Sequence, residues 1–175
     1  MKREGLRVSA SPGQEIGMMM FREMRRFGQQ LTKEECKEIL LIQKRGVLAV
    51  LGDEGYPYAV PLNYVYDNGC IFFHSAKEGH KLDAIRACDK GSFNVLGEPR
   101  LSDDGWSYFV DSVTVFGRLS EITDKAEKEE KLRWLGNKYF PTADMTESDI
   151  IKNADRCTVI KLKLEHISGK HVHER

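Results

Sequence analysis

The chain has 175 residues, 41% of them hydrophobic, enough for one domain whose core needs no disulfide or metal staples. Its 27 basic and 27 acidic side chains cancel, which removes the electrostatic case for a generic binder of nucleic acid or anionic membrane. A charged fraction of 31% with 9% aromatics excludes a disordered tail, and no apolar run approaches the ~20 residues of a membrane-spanning helix.

Residues 1–20 are punctuated by Gly, Ser and Pro without periodicity and read as a loose leader ahead of one domain, 21–175. The leader lacks the apolar stretch of a signal peptide, Met18 to Phe21 being too short. Cys36, Cys70, Cys88 and Cys157 form no CxxC pair and read as small buried hydrophobes of a reducing compartment. A cytosolic protein without a metal site is expected.

Thr32 with Glu35 makes a capping box, and Cys36, Ile39, Leu40 and Ile42 follow at helical spacing, with Gly46 as the expected stop. Val47–Gly52 and Tyr58–Tyr66 flank the turn Asp53-Glu54-Gly55, and Asp67-Asn68-Gly69 leads to a third strand, Cys70–Ser75. Pro57 and Pro61 predict an edge or a bulge. A short helix with Leu82 and Ile85 inward is expected over Gly79–Cys88. Strands follow over Ser92–Gly97 and Ser107–Ser120, separated by a polar loop. Helices over Asp124–Tyr139, with Leu132 and Leu135 inward, and Thr146–Asn153 precede a last strand, Cys157–His166. The class is mainly β with α: a six-stranded antiparallel barrel with flanking helices.

Signatures of dinucleotide, P-loop, zinc-protease and serine-hydrolase sites are absent from the sequence. The segment Phe73 to Lys81 leaves a strand and enters a helix, where free N–H groups and the positive dipole end meet Ser75, Lys77, His80 and Lys81. A phosphate monoester suits such a corner; exposed loop cations with Ser75 as a plain cap explain it equally well. Gly79 reads as a helix-entry hinge, and His74 singly as a structural histidine. Asn63 interrupts the apolar stretch Ala59 to Tyr66. Facing inward, it would need a partner with complementary donors and acceptors, such as the edge of a heteroaromatic ring; facing outward, it would be an ordinary edge-strand residue. His171 and His173 read as an exposed terminal tail.

The stretches Gly52 to Tyr66 and Phe73 to Ile85 closely resemble the flavin-binding split barrels of the pyridoxamine-5′-phosphate-oxidase-like superfamily, nitroimidazole-resistance group. Weaker matches are Phe21 to Arg26, Ser112 to Gly117 and Glu165 to Lys170. The resemblance implies a split-barrel homodimer with FMN in clefts between the subunits. It places Ser75, Lys77 and Lys81 on the 5′-phosphate with His80 close by, and Val60, Pro61, Leu62 and Asn63 along the ring. It puts His74 near the ring as the candidate proton donor, Ser112, Thr114 and Val115 as the partner's contribution, and Lys170 on the flavin's polar side. The implied activity is reduction of a small electron-poor acceptor such as a nitroaromatic; a flavin or haem carrier without turnover is the alternative. The ending Gly169 to Arg175 lacks the Arg/Trp-rich segment with which pyridoxamine-phosphate oxidases hold their substrate, so vitamin B6 oxidation is not expected. Tyr64, Tyr66, Trp106, Tyr108 and Phe109 are offered as interface aromatics, each equally assignable to core or surface.

Overall fold

A computed structural model describes residues 21–174; the leader expected over 1–20 and Arg175 lie outside the described residues. The capping box is present: Thr32 Oγ1 accepts from the Glu35 N–H at 3.2 Å, and Glu35 Oε2 accepts from the Thr32 N–H at 2.7 Å. Helix α1 (Lys33–Ile42) thus begins where expected, after a two-residue strand β1 (Gln30–Leu31), and buries Cys36 and Leu40. It ends earlier than Gly46, and Ile42 is solvent-exposed. Gly46 lies instead inside strand β2 (Arg45–Leu51), where an added Cβ would stand 2.4 Å from the Phe93 ring. Its role is close approach, not helix termination.

Strand β3 (Pro57–Asn63) follows a turn in which Glu54 and Gly55 hold φ of 54° and 78°. The expected run Tyr58–Tyr66 is broken at Tyr64, and its continuation is strand β4 (Val65–Asp67), which turns through Asn68 and Gly69 into β5 (Cys70–Ala76). Helix α2 (His80–Ala87) buries Leu82, Ala84 and Ile85. Strands β6 (Lys90–Leu96), β7 (Arg100–Leu101) and β8 (Tyr108–Glu121) come next, β7 occupying the expected polar loop. Helices α3 (Lys125–Tyr139) and α4 (Ala143–Asn153) precede β9 (Cys157–Glu174).

The strands form one antiparallel sheet in the order β3-β2-β6-β8-β9-β5-β4. Its two ends, β3 and β4, are successive pieces of one chain run, so the sheet curls back on itself as a split barrel, with β3 on an edge as its prolines require. Inside lie Leu48, Phe93, Val113, Val115, Phe73 and Leu162, all fully buried, with Cys36 and Leu40 of α1 and Leu82 of α2 joining the same core. Tyr64 and Tyr66 belong to this core too and supply no interface area. Helix α3 covers the outside of β5 and β9 through Leu132 and Trp134 over Phe72 and Val159, which explains why β5 is buried on both faces. In α3, Leu135 is buried as expected. Lys131 is also buried, its ammonium 3.4 Å from the centre of the Trp134 ring, a cation–π placement no apolar pattern announces.

The terminal segment is no exposed tail. Strand β9 continues to Glu174 and pairs with all of β8 through residues 160–174, shifting register at Phe116/Gly117. His171 and His173 both stack on the Phe109 ring, at 5.2 and 4.3 Å between centroids. His171 Nδ1 meets Asp111 Oδ1 at 2.5 Å, and His173 Nε2 meets the Ser107 hydroxyl at 2.7 Å. Ser107 donates its hydroxyl proton to Asp104, so this trio latches the chain end and does not present an activated nucleophile. Among the cysteines, Cys36 is buried; Cys70, Cys88 and Cys157 are half-buried, and all four are free thiols. Among the described residues no group of His, Cys, Asp or Glu could hold a metal ion, and no helix is long and apolar enough to cross a membrane.

Candidate functional site

At the C-terminal end of β5, Ser75 is buried while the chain turns outward through Lys77 and Glu78 to Gly79. Gly79 caps α2 with φ of 123°, a conformation open to glycine alone at no cost, and its carbonyl accepts from the Leu82 and Asp83 N–H groups. Among the described residues no side chain caps this helix, which leaves its first N–H groups without a side-chain partner.

A cavity of about 530 Å³ opens there, lined by Pro61, Leu62 and Asn63 of β3, His74, Ser75 and Ala76 of β5, Lys81 of α2 and Arg45 of β2. Two cations line it and no carboxylate does. Burial lowers the Lys81 ammonium from its ordinary value, and among the described residues no acid pairs with it. A half-buried cation without a counter-charge is a site in want of an anion. Burial, then the neighbouring Lys81 ammonium, hold the His74 imidazole below its usual range, opposed by the Asp149 carboxylate.

Six of the residues named from the sequence therefore converge: Pro61, Leu62, Asn63, His74, Ser75 and Lys81. The others do not join them within one chain. Val60 is half-buried on the barrel side of β3, opposite Leu48. Lys77 stands exposed on the turn, outside the cavity wall. His80 points the other way, stacked on Tyr58 at 4.2 Å with its Nε2 accepting from the Asp53 N–H at 3.4 Å; it fastens α2 to the β2–β3 turn. Val115 is fully buried in the barrel, so its side chain is packing.

Ser112, Thr114 and Lys170 share the sheet's outward face. Register aligns Val47, Asn94, Thr114 and Ser168 in one row, with Leu96, Ser112 and Lys170 in the next. Asn94 Nδ2 donates to Thr114 Oγ1 at 2.9 Å. A groove of about 470 Å³ on this face includes Val47, Asn94 and Leu96 and shares Arg45 and Pro61 with the cavity, so the two are continuous.

Arg45 was not foreseen. It opens β2 directly across from Asn63, and its Nε donates to Asn63 Oδ1 at 3.3 Å. Only strand register brings this basic residue to the site. Tyr139 at the end of α3 was missed as well: its hydroxyl bonds the backbone of Tyr64 and Lys44, flanking Asn63 and Arg45.

The family model of pyridoxamine 5′-phosphate oxidase matches residues 32–171. The chain belongs to that family. Its fold is shared by solved structures: a candidate 5-nitroimidazole antibiotic resistance protein from Bacteroides thetaiotaomicron is 21% identical with a TM-score of 0.71, covering 83% of this chain and 87% of that one. A FAD-binding protein from Mesorhizobium loti is 24% identical with a TM-score of 0.63, covering 82% and 97%. A FAD and heme binding protein from Mycobacterium smegmatis is 18% identical with a TM-score of 0.66, covering 81% and 72%. No curated protein matches the chain.

Proposed function

We propose that this family member is a homodimeric FMN-binding oxidoreductase acting on a small electron-poor acceptor, with a nitroaromatic as the representative class. The single observation that carries the flavin reading is the cavity with Arg45 and Lys81 on its wall and no carboxylate. The flavin- and FAD-binding names carried by structural neighbours, and the nitroimidazole-resistance name of one, support the same reading.

The residues fit such a nucleotide. Lys81 and Arg45 supply fixed positive charge, and Ser75 with the uncapped start of α2 supplies donors, the combination a phosphate monoester requires. Pro61 and Leu62 give an apolar wall for a planar ring. Arg45 occupies Asn63 Oδ1, which leaves the Nδ2 protons for a ring carbonyl. Ser112, Thr114 and Lys170 reach a cleft only as another subunit's face, which is the physical motive for a dimer. When bound, the flavin supplies the redox chemistry, and the protein supplies binding, orientation and electrostatics. His74 is the imidazole on the wall; burial and then the Lys81 ammonium hold it toward its neutral form, and a dianion beside Lys81 would offset the second of these.

The test is an absorption spectrum of the purified protein, followed by titration with FMN, FAD and riboflavin. Yellow protein, or tight FMN binding, followed by bleaching with reduced nicotinamide and reoxidation by a nitroimidazole, bears the proposal out. FMN retained without turnover on any acceptor reduces it to a carrier; a Soret band, or no flavin binding at all, overturns it.

A further inference from the structure

His80 stands outside the cavity described above, yet the residue that follows it is one of the two cations on the wall. Lys81 keeps that place against its own preference. It is half-buried, and no acid among the described residues pairs with it. An ammonium so placed gains hydration by swinging out into water. Something other than its own contacts must therefore hold the start of α2 where it is.

The helix does little to hold its own start. It has 8 residues, short of the ~12 at which a helix persists in water unaided. It begins on Gly79, which has no side chain to cap the first turn. None of the described residues comes within 4 Å of where a Gly79 Cβ would stand, so the entry to the helix runs clear of its neighbours. Packing grips the helix only further along, through Leu82, Ala84 and Ile85.

His80 is the side chain of the first turn that finds a rigid support. Its ring lies on Tyr58 of β3 with 4.2 Å between centroids and 19° between planes, and Tyr58 in turn packs against the barrel core. Its Nε2 accepts from the Asp53 N–H at 3.4 Å. Asp53 Oδ2 is 3.5 Å from the same nitrogen, so the ring has a partner on Asp53 whether it accepts or donates. The turn it grips is itself closed twice: the Gly52 N–H donates to the Tyr56 carbonyl at 2.8 Å, and the Tyr56 N–H to the Asp53 carbonyl at 3.0 Å. Gly52 leaves room for the imidazole, since a Cβ there would stand 3.1 Å from Nε2. Successive helical side chains point about 100° apart. With Leu82 in the core and His80 on Tyr58, the direction of Lys81 between them is set.

We infer that His80 is a positioning residue: by bracing the first turn of α2 on Tyr58 and Asp53, it holds the Lys81 ammonium on the cavity wall before any anion arrives. The identity of that anion, the phosphate of FMN, rests on the flavin reading above. The gain is pre-organisation, because the ordering of Lys81 is settled in the fold and not at the moment of binding.

His80→Ala tests this on the full chain, with FMN and riboflavin titrated by fluorescence and amide hydrogen exchange followed in flavin-free protein. FMN binding weakens about tenfold, and riboflavin changes less than about twofold. The Leu82 and Asp83 amides, which donate to the Gly79 carbonyl, exchange at least about tenfold faster. His80→Gln, whose amide oxygen can take the Asp53 N–H, restores FMN to within about threefold of the wild type. Beside Lys81→Met, His80→Ala costs FMN nothing more, because one residue acts through the other; a merely structural role would cost the same in both backgrounds. Thermal melts confirm that each variant is folded. Unchanged FMN affinity in His80→Ala, an equal loss for riboflavin, or the full loss persisting beside Lys81→Met overturns the inference. A wild type that refuses FMN fails the flavin reading instead, and the exchange rates then decide the brace alone: faster exchange at Leu82 and Asp83 keeps it, unchanged exchange removes it.

Discussion

The Tyr139 hydroxyl accepts the Tyr64 N–H at 2.8 Å and faces the carbonyl of the same residue at 2.9 Å, sharing its one proton between that carbonyl and the Lys44 carbonyl. Tyr64 is the residue at which the sheet's two ends part company, its N–H and C=O lost to the ladders on both sides. A phenol seventy-odd positions along the chain satisfies both. Lys138 adds to the clamp by donating to the Gln43 carbonyl at 2.7 Å.

That arrangement predicts the effect of Tyr139→Phe. The ring stays, but a buried N–H and two carbonyls lose their partner, at a cost of roughly 2 kcal/mol or more. Urea unfolding of the variant measures it. Because the clamp also sets Arg45 against Asn63, FMN affinity falls in the same variant; a stable protein with native FMN affinity would show that the clamp does neither.

The cationic wall predicts which ligand atoms each residue feels. Lys81→Met and Arg45→Met each weaken FMN by about tenfold to a hundredfold, the range for a charge-assisted hydrogen bond of 1.5–3 kcal/mol. Riboflavin, which lacks the phosphate, is bound equally by Lys81→Met and the wild type, whereas Arg45→Met, which also releases Asn63 Oδ1, weakens it by less than it weakens FMN. Lys77→Met, on the exposed turn, changes FMN affinity less than threefold. Fluorescence titration separates these cases, and equal losses for riboflavin would move the two cations away from the phosphate.

His74 predicts a pH dependence of known sign. Its imidazole takes a proton less readily in the folded chain than in the unfolded one, because of burial and then Lys81. Above about 6.5, the unfolded value, both states are neutral and nothing is lost. As the pH falls below it the unfolded state binds the proton first and stability declines, levelling once the folded-state value is passed. His74→Gln removes that part of the decline, and Lys81→Met reduces it. Denaturation midpoints at pH 7.5 and 5 provide the comparison; an identical decline in His74→Gln would contradict the assignment.

Much of this was legible because local chemistry and global packing agree at the elements concerned. Thr32/Glu35 announce α1, the two Gly-containing turns announce the hairpins, and the Ser75-to-Lys81 corner announces the cationic cavity. What escaped depends on register. Arg45 is unremarkable until β2 sets it opposite Asn63, and Val115 differs from Thr114 only by which face of β8 it occupies. His80 misled because a helix start near cations looks like an anion site, whereas stacking on Tyr58 turns the ring toward the neighbouring turn. The segment beyond His166 looks like a polar tail in isolation; its pairing with Tyr108 to Val115 of β8 makes it a strand.

The outward face carries the last prediction. Leu96 and Phe116 are 62% and 38% exposed there, on strands whose inward neighbours Val95 and Val115 are fully buried. Leu96 lines a groove of about 470 Å³ that shares Arg45 and Pro61 with the candidate flavin cavity, and Phe116 lies on the same outward face, stacked on Phe21; together they mark a face made to be covered. In the proposed dimer a second copy covers it and brings Ser112, Thr114 and Lys170 to the cleft. Leu96→Glu with Phe116→Glu leaves the barrel core untouched, so melting temperature at high dilution should hardly move. Sedimentation should then show the wild type as a dimer and the variant as a monomer. FMN affinity should fall as dimerisation is lost, since each cleft then lacks the face supplied from across the two-fold axis. A wild-type monomer that binds FMN as tightly as the variant does would mean that one chain completes its own site.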